Sequence, residues 1–215
     1  MDPSLYVILD RAAARGQDLE AILDGALAGG CRMIQLREKE WPSGRLLALA
    51  ERLCEGCHRA GATFIVNDRV DLALAVAADG VHLGQDDLPP RAARPLLKSG
   101  MILGRSTHSL AQARAAHDDG ADYIAVGSIF PTATKHDFQL VGPDLLRQVR
   151  PETFRPLIGI GGITPENAAE VIRAGADGVA VISAVCGAPD PAATARRFLE
   201  AIRAARDLTG RRRPL

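Results

Sequence analysis

Two hydroxyls and an ammonium end the segment Phe130-Pro131-Thr132-Ala133-Thr134-Lys135. It follows an apolar run at 121–127 bounded by glycine, the pattern of a buried strand that spills into a loop. Donors at such a strand end suit phosphate oxygens, although a polar surface turn would have the same composition. Gln35-Leu36-Arg37-Glu38-Lys39 is a second cluster. Strand alternation points Gln35, Arg37 and Lys39 the same way, so an amide and two cations can face a diphosphate together; the plain alternative is a solvated strand end. Asn67-Asp68-Arg69 and Gly84-Gln85-Asp86-Asp87 supply carboxylates, each of which would also serve as a helix cap. Brought together beside cations, they offer what Mg²⁺ usually takes from a protein: one or two carboxylates, with water and substrate phosphate completing its shell. Arg105-Ser106-Thr107-His108 adds a hydroxyl and an imidazole. Gly159-Ile160-Gly161-Gly162-Ile163 and Ile182-Ser183-Ala184 offer small residues that let backbone N–H groups approach an anion, or that simply pack tight turns. The sum is two anion sites, one cationic and metal-assisted, one neutral and backbone-lined, with Thr132, Thr134 and Lys135 between them. A diphosphate ester and a separate monophosphate would fit, and the corresponding chemistry is displacement of pyrophosphate.

These groups are far apart in the chain, so the fold must gather them. Short apolar runs at 5–9, 33–37, 63–67, 80–83, 102–106, 123–127, 157–160 and 178–182 predict eight strands. Helical spacing of apolar residues lies between them, as at 19–28, 46–60 and 168–174. Ala78-Asp79-Gly80-Val81-His82-Leu83, Ala121-Asp122-Tyr123-Ile124-Ala125-Val126 and Ala176-Asp177-Gly178-Val179-Ala180-Val181 are variants of one helix-exit-to-strand phrase, so one βα unit is being reused. Eight such units close into a (β/α)₈ TIM barrel, here a single domain over 1–215 with 205–215 as a flexible basic tail. An open doubly wound sheet is the runner-up, but no Gly-x-Gly-x-x-Gly follows the first strand. In a barrel, whatever follows each strand collects at one rim.

The rest of the composition narrows the partners. Lys plus Arg equals Asp plus Glu at 26 each, which excludes a global field directed at nucleic acid or an anionic membrane. The first apolar run stops at Asp10-Arg11, too short for a signal peptide or a span, so a cytoplasmic enzyme acting on small molecules is expected, and a homo-oligomer is compatible with it. Cys31, Cys54, Cys57 and Cys186 lack the spacing of a disulfide framework and are expected as free thiols. Cys54-Glu55-Gly56-Cys57-His58 has the outline of a zinc motif, but no second cysteine pair follows and the segment lies in a helical pattern. The closing Arg211-Arg212-Arg213 is expected to be solvated.

Taken in order, the motifs at 35–39, 67–68, 84–87, 104–106, 130–135, 159–163 and 182–183 resemble the thiamine phosphate synthase family, and the likeness runs from Leu5 to about Ile202. The resemblance implies a barrel enzyme joining 4-amino-2-methyl-5-(diphosphooxymethyl)pyrimidine to 4-methyl-5-(2-phosphoethyl)thiazole, or its 2-carboxy form. It implies a pyrimidine diphosphate site of Gln35, Leu36, Arg37, Glu38, Lys39, Asn67, Ser106 and Lys135, with Arg37, Lys39, Ser106 and Lys135 catalytic. It further implies Mg²⁺ on Asp68 and Asp87, and a thiazole phosphate site of Thr132, Ala133, Thr134, Gly162, Ile182 and Ser183. Ser128 stands where many members carry proline, and 136–138 is not a strong match. The nearest rival is a thiazole tautomerase, which this chain resembles at 67–71 and 106–109 and which would need His108 as acid–base group but no metal. Retention of Gln35, Asp87 and the 132–135 loop favours the synthase. A non-catalytic barrel that senses thiamine precursors would have lost the metal-binding or cationic groups kept here.

Overall fold

Eight parallel strands close on themselves in chain order: β1 Leu5–Asp10, β2 Met33–Arg37, β3 Thr63–Asn67, β4 Gly80–Leu83, β5 Ile102–Thr107, β6 Tyr123–Val126, β7 Leu157–Ile160 and β8 Gly178–Val181, with β8 hydrogen-bonded back to β1. The structure is a computed structural model describing residues 1–132 and 139–209. Around the ring lie α1 Arg11–Ala14, α2 Leu19–Ala28, α3 Ser43–Arg59, α4 Val70–Ala75, α5 Pro90–Ala93, α6 Leu110–Asp118, α7 Gly142–Val149, α8 Ala168–Arg173, α9 Ser183–Cys186 and α10 Pro191–Thr209. This is the TIM barrel expected from the repeat.

Most residues on both faces of the strands are buried, which is why the strands read as mainly apolar runs instead of alternating ones. Val7, Leu9, Ile34, Leu36, Phe64, Val66, Val81 and Leu103 point outward into the layer shared with the helices. Tyr6, Ile8, Met33, Ile65, Tyr123, Ile158 and Ala180 point inward and fill the barrel axis. Local signals start the helices: the Asp18 carboxylate accepts from the Glu20 N–H at 3.3 Å ahead of α2, and the Ser109 hydroxyl accepts from the Gln112 N–H at 3.2 Å ahead of α6.

The repeated phrase has a structural cause. Asp79, Asp122 and Asp177 precede β4, β6 and β8, and each N–H donates to a residue of the preceding strand, Phe64, Leu103 or Leu157, at 3.0, 2.7 and 2.7 Å. The same three strand residues return their N–H to the aspartate Oδ2 at 2.7, 2.8 and 2.8 Å. A basic side chain closes each clamp: His58 at 3.1 Å, Arg94 at 2.7 Å and Arg150 at 2.7 Å. Asp177→Ala should therefore cost about 2 kcal/mol, because it leaves a strand N–H unpaired as well as removing an ion pair. Thermal unfolding should read this as a fall of roughly 4–8 °C; a change under about 1 °C would show the clamp to be dispensable.

The structure moves several expected boundaries. β1 continues to Asp10, whose carboxylate caps α1 by accepting from the Ala13 N–H at 3.0 Å. β5 continues to Thr107, with its hydroxyl donating to the Ala125 carbonyl at 3.0 Å, whereas β6 and β8 end one residue early. α3 starts at Ser43 and stops at Arg59. The expected tail at 205–215 starts inside α10: Arg206 is buried, donating to the Ser4 hydroxyl at 2.8 Å and to the Asp177 carbonyl, while 210–215 lie outside the described residues. All four cysteines are free and buried, and burial pushes Cys31, Cys54 and Cys186 up to about 11, so these thiols stay protonated at neutral pH. Among the described residues no three His, Cys, Asp or Glu side chains converge on a metal-sized site, and no helix is long and apolar enough to cross a membrane.

Candidate active site

The C-terminal ends of the strands open into one cavity of about 770 Å³, within the range of small-molecule sites. Arg37, Lys39, Asn67, Asp68, Asp87 and Ser106 line one side of it. Asp68 and Asp87 come from the loops after β3 and β4, and their carboxyl groups are in hydrogen-bonding contact. Burial raises the Asp68 carboxyl above the usual carboxylate range; Asp87 adds to the rise and Lys39 opposes it. The Lys39 ammonium is 3.2 Å from Asp68, and Asp87 is held on its own loop by the Gly84 N–H at 2.7 Å. Asp68 sits at φ 61°, a left-handed conformation that costs a non-glycine residue energy and here points its carboxyl at Asp87. Two half-buried acids in contact are unfavourable unless a cation joins them, so the pair fits a hydrated divalent ion with two protein ligands.

Arg37 is ion-paired with Asp10 across the β1–β2 edge, which fixes the guanidinium at the mouth. Gln35 shares its parity but lies deeper, fully buried, donating its amide N–H to the Tyr6 hydroxyl. Leu36 faces the helices, and Glu38 binds Arg11 at 2.8 Å, so neither of these side chains lines the cavity. From Gln35 a polar chain crosses the barrel: Tyr6 to Tyr123 at 2.8 Å, Tyr123 to His82 Nδ1 at 2.9 Å, and His82 Nε2 to Ser106 at 2.8 Å. With Gln35 donating first, each hydroxyl donates onward, and the chain ends with a His82 N–H on the Ser106 oxygen. The Ser106 proton is then turned toward the cavity. Burial raises both tyrosines far above their ordinary values, so they serve as neutral hydroxyls.

The opposite wall is built by the β7 and β8 loops. Gly162 has φ 63°, and a side chain there would stand 2.3 Å from the Pro131 carbonyl oxygen, so only glycine lets this loop lie against 130–132. Asn167 ties the loop further, donating to the Gly162 carbonyl at 3.0 Å and accepting from the Thr164 N–H at 2.8 Å. Thr132, Gly162, Ile182 and Ser183 all line the cavity. Ala133, Thr134 and Lys135 lie outside the described residues. His108 also lines it, with its Nδ1 donating to the Gly127 carbonyl at 2.6 Å.

Sequence reasoning missed His82, Tyr6, Tyr123 and Arg15. Parity alone points to the first three, since polar residues at inward strand positions need partners inside the barrel. Arg15 had no such signal.

Comparison with known proteins follows the same lines. The family profile for thiamine monophosphate synthase matches residues 5–185. A thiamine-phosphate synthase of Moorella thermoacetica is 53% identical over 203 residues, 94% of this chain and 97% of the relative. One from Methanospirillum hungatei is 48% identical over 93% of this chain and 98% of its own length. Among solved structures, a thiamine phosphate pyrophosphorylase from Pyrococcus furiosus superposes with a TM-score of 0.87 at 38% identity, covering 94% of this chain and 96% of that one. The match spans every strand of the barrel and every loop at its mouth described above, and the chain belongs to the thiamine monophosphate synthase family.

Proposed function

We infer that this chain is a thiamine-phosphate synthase, a transferase that joins the pyrimidine diphosphate to the thiazole phosphate with release of pyrophosphate. The observation that carries the site assignment is the contact between Asp68 and Asp87 beside Lys39, in a mouth that also presents Arg37 and Ser106. In the reaction the bond between the exocyclic methylene carbon and the diphosphate oxygen breaks, its electrons leaving with pyrophosphate. The thiazole nitrogen then gives its lone pair to that carbon. The aminopyrimidine ring can carry the intervening positive charge, so the displacement is dissociative and the nucleophile has no proton to lose. No nucleophile–base pair is then needed, and Ser106, which accepts from His82 at 2.8 Å, serves as a donor and not as a nucleophile.

The chain's residues have the work of holding charge and excluding water. Arg37, kept in place by Asp10, and Lys39 face the leaving diphosphate, with Lys135 as the third expected cation. Ser106, aligned by His82, donates to the pyrimidine, which Asn67 also flanks. Leu36 and Glu38 can contribute through their main chain, and Gln35 through the polar chain that ends on Ser106. Thr132, Gly162, Ile182 and Ser183 take the thiazole phosphate, with Ala133 and Thr134 completing that loop. Mg²⁺ held by Asp68 and Asp87 would supply positive charge to the diphosphate oxygens.

The test is a pyrophosphate-release assay with both substrates, with and without Mg²⁺. Thiamine phosphate and pyrophosphate should appear in equal amounts, and chelation of the metal should suppress both. Turnover indifferent to chelation would remove the carboxylate assignment, and no thiamine phosphate under any condition would remove the function.

A further inference from the structure

The phosphate wall formed by the β7 and β8 loops was expected to be neutral, but a cation stands beside it. Arg15, at the end of α1, lines the cavity. Its Nε is 4.0 Å from where a β-carbon on Gly187 would stand, a point 3.0 Å from the Ser183 carbonyl oxygen. The end of α9 is tied to the segment that follows α1 by the Gln17 amide, which donates to the Cys186 carbonyl at 3.3 Å. Arg15 thus belongs to the wall that carries Ser183, not to the diphosphate side.

Two further features set it apart. Arg37 and Lys39 already face carboxylates of their own, Asp10 and Asp68, whereas Arg15 makes no ion pair or hydrogen bond among the described residues. It also holds φ 53° and ψ 38°, followed by Gly16 at φ 89°. A left-handed position is one that glycine or asparagine fills at less cost than arginine. Beside the cavity and without an ion pair or hydrogen bond among the described residues, its guanidinium is open to a ligand.

We propose that Arg15 selects the phosphorylated thiazole: its guanidinium pairs with the phosphate monoester that the Ser183 and Gly162 wall receives. The assignment rests on the synthase reading above. A monoester carries close to two negative charges near neutral pH, more than N–H groups and hydroxyls neutralise by themselves. Because Arg15 is exposed, the attraction is screened, and its contribution should shrink as salt rises.

The experiment is titration calorimetry of the full-length protein with 4-methyl-5-(2-phosphoethyl)thiazole and with its unphosphorylated alcohol, for wild type, Arg15→Gly, Arg15→Gln and Arg15→Lys. Arg15→Gly and Arg15→Gln should bind the phosphate ester about tenfold more weakly and the alcohol unchanged, with Arg15→Lys intermediate. Arg15→Gly should melt at or above the wild-type temperature, because glycine fits the left-handed position. An unchanged ratio of the two affinities, or an equal loss for both ligands, would overturn the proposal. Wild-type product formation, measured separately, shows whether the synthase reading itself holds.

Discussion

Asp68→Asn should reduce turnover at saturating substrates by about a hundredfold or more while raising the melting temperature of the metal-free protein. The two effects share a cause. Asp68 is held at φ 61° with its carboxyl against Asp87, and burial together with that contact lifts its pKa above the usual range. A carboxyl whose folded pKa lies above its unfolded value favours folding below the unfolded value, and that advantage disappears as pH rises through the folded one. At neutral pH the wild type therefore bears the unfavourable contact. Asparagine has nearly the same shape, accepts the left-handed conformation and removes the charge, at the expense of an ion pair with Lys39 whose ammonium is mostly exposed and so worth little. The expected gain is about 1 kcal/mol, or roughly 2–4 °C. Mg²⁺ should raise the wild-type melting temperature by linkage and leave the variant's unchanged. Melting curves with metal and with chelator, set beside steady-state rates, test both halves. Retained turnover together with a lower melting temperature would mean that the carboxylate pair is a structural contact.

Particular residues show what the sequence could and could not disclose. The bounds of β2, β3, β4 and β7 match the apolar runs, since each run is broken at the rim by a polar or glycine residue that the cavity requires. β1 hides its last residue because Asp10 looks like the end of an apolar run, yet its carboxylate caps α1 and holds Arg37. The parity argument puts Gln35 and Arg37 on the inward face of β2 but says nothing of depth, and Gln35 turns out to lie below the mouth on Tyr6, while Lys39 lines the cavity from beyond the end of the strand. The same parity turns Leu36 outward, although the resemblance carries the whole block 35–39 into the site. His82 could have been found: in the three copies of the repeated phrase it takes the place of Ala125 and Ala180, and an imidazole among alanines at an inward position needs a partner. Arg15 could not, because a left-handed backbone at a non-glycine residue leaves no mark in the residue types.

Gly104→Ala tests whether the inner layer is as closed as its contacts imply, and it should be among the most damaging single-methyl changes in the chain. Gly104 lies on β5 where the Tyr123 ring crosses the barrel, and an added β-carbon would fall 2.0 Å from Tyr123 Cζ and 2.3 Å from its hydroxyl. The ring has little freedom to retreat: it meets Tyr6 edge-on at 5.8 Å between centroids, stacks on His82 at 5.5 Å, and bonds both through its hydroxyl. Overpacking by one methyl costs about 1–3 kcal/mol. Displacing the hydroxyl would also take one hydrogen bond each from His82 and Tyr6, so the total should reach about 3–5 kcal/mol, or a fall near 10 °C in melting temperature. The folded fraction should also turn over more slowly, since Ser106 depends on His82 for its orientation. Tyr123→Val added to Gly104→Ala should recover part of the stability by removing the clash, yet none of the rate, because the polar chain stays broken. A single variant that melts within about 2 °C of wild type would show that the ring can move aside; the chain from Gln35 to Ser106 would then be loose packing and not a fixed support for the site.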